Sequence, residues 1–290
     1  MTTTTAPPSQ RRRWRPAPAR PSPDSTSAER PGRAWRTGYF LITNGVPVLA
    51  ILGWWIASRY QPEYIVPSPV DVLARTWDLF AGDSAYYSNT YASFVRVGAS
   101  VLIALVIGTA LAVAARYIPL IRGLLVDRLL PFINAFPSIG WAIAGMYWLG
   151  VSTSSVIFVE VAIILPFTAI TVWEALKALD AETMEMAQSF TRSNRRVLVK
   201  VVGPSLGPHL FTALRLSYGA AWKVAIVAEI FGASTGLGYL LNNAREQFDS
   251  STLYATILTL IIIVYAVDKL LLQPLENVLM RYRTSGVSAR

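Results

Sequence analysis

The stretch Val101-Leu-Ile-Ala-Leu-Val-Ile-Gly-Thr-Ala-Leu-Ala-Val-Ala-Ala115 decides the fold class. It is the core of an apolar run at 95–115, close to the ~20 residues that an α-helix needs to cross a bilayer. Five further runs of this kind follow from the same reading, at 39–58, 129–149, 156–173, 209–231 and 253–272. The fifth of the six is interrupted by Arg215, Lys223 and Glu229. The composition agrees: 53% of the residues are hydrophobic and 15% charged, with a mean hydropathy of +0.42, too apolar for an ordinary soluble domain. The 9 Trp and 13 Tyr suit a chain with many interfacial rings. The expectation is an all-α membrane protein of six transmembrane helices with both termini on one side.

Loop charge orients the spans, because Lys and Arg accumulate in cytoplasmic loops. The segment 116–128 carries Arg116, Arg122 and Arg128, and 174–208 carries Lys177, Arg192, Arg195, Arg196 and Lys200. The alternate segments are poorer: Arg59 and Arg75 at 59–94, none at 150–155, and Arg245 at 232–252. Both termini are therefore expected in the cytoplasm. Residues 1–37, with eight Arg and seven Pro before residue 37 and no apolar period, read as a disordered cytoplasmic tail. Residues 38–94 hold the first span and an external segment, 95–275 a five-helix core with the loop 174–208, and 276–290 a cytoplasmic C-terminal tail. The net charge of +9 is thus read as positive-inside anchoring, without a nucleic-acid partner.

Catalysis finds little support. The absence of Cys removes thiol chemistry and disulfides, and the single His209 cannot build a His-based metal site. Gly232-Ala-Ser-Thr-Gly236 matches the pattern of a nucleophile elbow, but that motif requires a strand before it, and here a helix of membrane length precedes it. Gly232, Gly236 and Gly238 read instead as a tight loop between spans. A hydrolase built on Ser234 is the weakest alternative. There is no phosphate-binding G-x-x-x-x-G-K-[ST] loop, so ATP-driven work would need a partner.

Charges within spans should face protein or water, since each costs at least ~2.5 kcal/mol at the bilayer centre. Arg215 and Asp268 suit helix packing. Lys223 and Glu229 suit either packing or a pathway, and the stretch Asn134 to Ser138 suits kinked packing or a pathway lining. An ion-coupled carrier using Glu160 or Glu229 is the alternative to an ATP-driven one.

The loop Asp180 to Pro204 reads as two short amphipathic helices. Met186 and Phe190 lie at i, i+4 in the first; Val197 with Val201, and Leu198 with Val202, repeat the spacing in the second. The break falls at Thr191–Asn194, where Ser193 or Asn194 can cap. Such a pair suits docking into a protein groove or lying on lipid.

This loop resembles the signature of permease subunits of binding-protein-dependent ABC importers, which runs E-A-A, three residues, G, nine residues, I-x-L-P. The register gives Glu185-Met-Ala187, Thr191 at the glycine position, Val201 at the isoleucine position and Gly203-Pro204 at the end. Met186, Thr191 and Gly203 depart from the pattern. A glycine can take positive φ where a helix ends, and a β-branched residue does so only with strain, so the turn at Thr191 is expected to differ. Val66-Pro-Ser-Pro-Val-Asp-Val-Leu73, and Trp222-Lys-Val-Ala-Ile-Val-Ala-Glu229 with the residues to Tyr239, look like the nitrate, sulfonate and taurine branch.

The resemblance implies a type I importer permease fold with a cytoplasmic coupling helix, in the bacterial inner membrane. It implies a homodimer that works with two cytoplasmic ATPases and an extracytoplasmic substrate-binding protein. ATP and magnesium would sit on the ATPases, with no cofactor in this chain. Glu182, Glu185, Ala187, Thr191, Arg192, Ser193 and Pro204 would form the docking site for the ATPase. Lys223, Glu229, Asn134 and Trp222 are candidates for the pathway or gate, and the substrate would be a small anion.

Overall fold

The computed structural model describes residues 33–178, 186–187, 189–191 and 193–284. The described chain divides between Leu52 and Gly53 into two units, and the division falls inside the first helix, α1 (Arg33–Tyr60). α1 contains the expected first apolar run, and Pro47 sits within it without ending it.

In the second unit, α2 (Pro69–Gly82) opens with Pro at its first turn and Ser68 as N-cap, whose hydroxyl accepts from the amide of Asp71. α3 (Ser84–Tyr117) is 34 residues long, and the Asp83 carboxylate accepts from two of its first amides. The next expected span, 129–149, is not a single helix. A helical segment Pro119–Ala135 (α4), π-helical over Arg122–Leu129, meets α5 (Ser138–Leu149) at 90°. The cause is local. Pro137 has no amide hydrogen to continue the ladder and drives the preceding residue out of helical geometry, so Phe136 sits at φ −74°, ψ 132° and Pro137 at φ −60°, ψ 136°.

α6 (Thr153–Lys177) runs unbroken through Pro166. The second half of the basic loop is not a separate short helix. Asn194–Val197 continues through π-helical Leu198–Val202 into α7 (Gly203–Gly232), which Pro204 enters in its first turn. α8 (Leu237–Glu246) and α9 (Ser250–Val267) follow, and α9 passes through π-helical Asp268–Leu272 into α10 (Gln273–Thr284).

Among the described residues, four helical stretches are long and apolar enough to cross a membrane: Ser84–Tyr117, Thr153–Lys177, Val199–Gly232 and Ser250–Val278. The bent pair α4–α5 makes a fifth if it is counted as one span. α3, α6 and α7 pack closely against one another. Small residues allow this: a Cβ at Gly145 of α5 would stand 2.4 Å from a methyl of Val159 on α6. At one end of the bundle Val172, Trp173 and Leu176 of α6 are buried with Val197, Val202 and Leu206, and Ala187 joins that core.

Candidate functional site

The deepest polar cluster lies where α3, α6, α7 and α8 converge. Ser93 and Arg96 are three apart on α3 and share a face. Thr153 opens α6, and Glu229 lies one turn before the end of α7. Glu229 and Ser93 are fully buried and Arg96 is 3% exposed. Arg96 Nη1 donates to Glu229 Oε1 at 2.9 Å and to the carbonyl of Thr235 at 2.7 Å. Its Nη2 donates to Thr235 Oγ1 at 2.7 Å and Thr153 Oγ1 at 3.0 Å, and its Nε also faces Thr153 Oγ1 at 3.3 Å. Ser93 Oγ lies 2.7 and 2.8 Å from the two carboxylate oxygens of Glu229, so one proton serves both.

The glycine turn completes the cluster. Gly238 donates its amide to Glu229 Oε2 at 2.9 Å, Leu237 to Ser93 Oγ and Gly236 to Asn89 Oδ1, both at 2.7 Å. Gly236 has φ +117°, and a Cβ there would stand 2.4 Å from the Glu229 carboxyl. Only glycine fits both the backbone and the space. The tight loop expected over Gly232–Gly238 is therefore real, and the buried carboxylate is what its amides close upon. Every donor nitrogen of Arg96 is engaged within the protein, and Glu229 accepts from three sources. The cluster clamps four helices and offers no free charge to a ligand. Glu229 is placed here, away from any exposed face.

A second ionic cluster ties α7 to α10. Arg215 Nε and Nη2 donate to the two oxygens of Asp268 at 2.8 and 3.0 Å, and Nη1 donates to Glu276. These two charges, read as packing residues, pair with each other.

The remaining pathway candidates are dispersed. Lys223 is exposed on α7 and, among the described residues, has neither an ion pair nor a hydrogen bond from its ammonium. Its neighbour Trp222 is 2% exposed, edge-on to Tyr218 with ring centroids 6.3 Å apart, and thus fixes the side of α7 from which Lys223 projects outward. Asn134 is exposed at the end of α4, beside the 90° break. Glu160 is fully buried, and neither of its oxygens has a partner among the described residues. Ser234 is exposed in a turn that follows a helix, so the geometry of a nucleophile elbow is absent there.

In the basic loop, Glu182, Glu185 and Arg192 lie outside the described residues. Of the others, Ala187 is buried, while Met186 and Phe190 are 57% and 84% exposed. The amides of Arg196 and Val197 donate to the carbonyl of Ser193, so the helix starts at the expected break. Thr191 does not have a positive φ; among the described non-glycine residues only Phe248 does. Its hydroxyl instead accepts from the amide of Ser193 at 3.3 Å, a side-chain turn of the kind threonine supports. Ser193 and Pro204 are exposed and Thr191 half-buried.

Long apolar helices and a broken span define a multi-pass membrane protein. The chain belongs to the family described as binding-protein-dependent transport system inner membrane component, which it matches over residues 104–272, more than half its length. It is similar to the taurine transport system permease protein TauC of Escherichia coli K12, with 26% identity over 237 residues, covering 78% of this chain and 85% of that one. It is 28% identical over 234 residues to the formylaminopyrimidine transport permease protein ThiX of Halalkalibacterium halodurans, covering 79% and 91%. An aliphatic sulfonates transport permease protein of Bacillus subtilis is 23% identical over 261 residues, covering 89% and 92%.

The protein is accordingly a permease subunit of an ABC importer with the type I fold, a multi-pass protein of the inner membrane and not an enzyme. Its family works with an ATPase and a substrate-binding protein. Membership sets aside both the ion-coupled carrier and the serine hydrolase.

The sequence reading missed Arg96, Ser93 and Thr153. A signal existed: Arg96 stands at the edge of an apolar run, and Glu229 inside another has no basic residue of opposite charge on its own face within reach.

Proposed function

We propose that two copies of this permease, each with six spans and both termini in the cytoplasm, pair to form an alternating-access pathway for a small anion of the sulfonate, taurine or nitrate class. Two ATPases, holding ATP and magnesium, would engage the loop that contains Glu182, Glu185, Ala187, Thr191, Arg192, Ser193 and Pro204. Their closure would move that loop as a lever and switch the pathway between its two faces. An extracytoplasmic binding protein would deliver the substrate.

The observation that supports an anion is Lys223. It lies nine residues before the end of α7, about 13 Å along the axis at 1.5 Å per residue, too deep for a cation to face hydrocarbon without a cost of at least ~2.5 kcal/mol. A surface against a second copy or an aqueous path removes that cost. Arg96 and Arg215 are committed to carboxylates, whereas Lys223 is free among the described residues to meet a substrate. Asn134 is exposed at the break where α4 ends, apart from Lys223, and would add a polar side chain to the path if that break lines it, one of the two settings in which a membrane tolerates irregular backbone. Trp222 would hold α7 in register.

The named substrates of relatives include taurine and aliphatic sulfonates but also formylaminopyrimidine, so the charge argument rests on Lys223 and not on the names. Uptake by the reconstituted transporter tests it. Lys223→Gln should lower sulfonate or nitrate uptake about tenfold, the scale of one lost charge-assisted contact, with ATPase binding intact, and Lys223→Arg should retain most of it. Normal anion uptake by Lys223→Gln overturns the anion assignment.

A further inference from the structure

α8 ends in a turn that glycine ordinarily closes. Beyond Glu246, its last residue, the amide of Phe248 donates to the carbonyl of Arg245 at 3.2 Å and that of Asp249 to the carbonyl of Ala244 at 2.9 Å. These two bonds are the Schellman pair, in which the residue at the first amide takes the left-handed conformation, most often as glycine. Here that residue is Phe248, at φ +58°. A bulky side chain is disfavoured in that region because its Cβ crowds the backbone. The conformation brings no packing in return, since the ring is 76% exposed. Neither the turn nor the core accounts for a phenylalanine at 248.

The turn is held from both sides. On α8, Arg245 Nη2 donates to Asn242 Oδ1 and Asn242 Nδ2 to Glu246 Oε1, both at 2.8 Å. Asp249 caps α9, accepting from the amide of Thr252 at 2.9 Å. The ring is thus presented on a set backbone, which leaves a partner little to order. Its surroundings are those of a water-facing surface. Leu237, Gly238 and Ala244 of α8 are buried, whereas Arg245, Glu246 and Gln247 beside Phe248 are exposed. An aromatic ring ringed by polar side chains is the make-up of a protein-interface anchor; a lipid-facing stripe would continue it with apolar neighbours. The hydroxyl of Ser250 donates to the carbonyl of Tyr64, which brings a second exposed aromatic residue to this corner.

The place of the turn selects the partner. α7 begins at the end of the bundle where Ala187 of the basic loop is buried with Val202 and Leu206, and it ends at the glycine turn that leads into α8. α9 returns from Ser250 toward Asp268, which pairs with Arg215 in the first half of α7. That return is 18 residues long, about 27 Å of helix axis, against ~30 Å for the hydrocarbon core. Phe248 therefore stands on the membrane face opposite the loop. Where the loop face receives the ATPases of a binding-protein-dependent importer, the opposite face is the one that meets the substrate-binding protein.

We propose that Phe248 is an anchor on which the extracytoplasmic substrate-binding protein docks, held outward by the left-handed turn between α8 and α9. This assignment rests on the importer reading above, with the loop as the ATPase site.

The assembled transporter in nanodiscs, titrated with the importer's own substrate-binding protein, purified and fluorescently labelled, tests this. Phe248→Gly suits the turn and removes the ring. It should raise the unfolding midpoint of the permease or leave it unchanged, keep the ATPase bound, and weaken binding of the labelled protein about tenfold. Phe248→Tyr keeps a ring at the same φ and should retain most of the affinity. Unchanged affinity in Phe248→Gly overturns the proposal. So does a fall in its unfolding midpoint that is seen in nanodiscs and not in detergent, which would make the ring a lipid anchor. A changed number of permease copies overturns it too, by making the ring a contact between copies. Absence of binding by the wild type would sink the importer reading itself, whereas unchanged affinity in Phe248→Gly sinks the anchor alone.

Discussion

Arg96 on α3 and Glu229 on α7, 133 positions apart, meet at 2.9 Å with side chains 4% and 0% exposed. The pair is the centre of the largest buried polar cluster described, and its neighbours supply every remaining hydrogen bond. A buried pair of this kind contributes little over an apolar pair of equal volume, but loss of one partner strands the other charge.

Arg96→Met should therefore lower thermal stability in detergent by roughly 3–5 kcal/mol, the range for an orphaned buried charge. Glu229→Gln should also be costly, since it strands the Arg96 charge and turns an amide NH2 toward the donor of either Arg96 or Gly238. The double variant Arg96→Met, Glu229→Met should recover part of the loss. Additive losses in the double variant would contradict a coupled pair.

Gly236→Ala should destabilise through the same cluster. The backbone is at φ +117°, and the new Cβ would stand 2.4 Å from the Glu229 carboxyl. Backbone strain of that type costs ~1–3 kcal/mol, and displacement of the carboxylate adds to it. Gly207, in the first turns of α7, has nothing within 4 Å of its Cβ position. Gly207→Ala should be neutral or stabilising by up to about 1 kcal/mol. The difference between the two unfolding midpoints is the measurement.

Much of this was legible in the sequence where local rules govern. Apolar runs located the long helices, and Gly232, Gly236 and Gly238 announced a tight turn because few other arrangements use glycines so closely. The stretch Asn134 to Ser138 suited kinked packing, but 129–149 was expected as one span; that Pro137 ends α4 and that α5 leaves it at 90° was not legible, since neighbouring helices decide whether a proline kinks a span or breaks it. Glu229 was recognised as costly inside a span. Its partner was not, because hydropathy does not say which helix faces meet. Arg215 and Asp268 were read as packing residues for the same reason, although they bond in two places. In the loop, spacing placed the break correctly, whereas the side-chain bond at Thr191 needed coordinates.

The loop separates packing from docking, and the final prediction uses that division. Ala187 is 6% exposed and sits in the core formed with Val197, Val202 and Leu206, whereas Phe190, three residues on, is 84% exposed and Met186 57%. An exposed aromatic beside an exposed methionine is costly in water and is the type of side chain that anchors protein interfaces. Phe190→Ala should leave the unfolding midpoint of the permease nearly unchanged, because little of the ring is packed, yet weaken ATPase co-purification at least about tenfold if it is an anchor worth ~2 kcal/mol. Ala187→Leu should do the reverse first: overpacking a closed site costs ~1–3 kcal/mol, and docking would fall only as the loop is displaced. Glu185→Arg should reduce co-purification without preventing membrane insertion, as the importer signature implies. Thr191→Gly completes the set. It restores the family's residue but removes the hydroxyl that accepts from the Ser193 amide, at a φ that needs no glycine, so ATPase binding should not improve. A gain in binding with Thr191→Gly would show that this turn adopts the glycine geometry when the ATPase is docked.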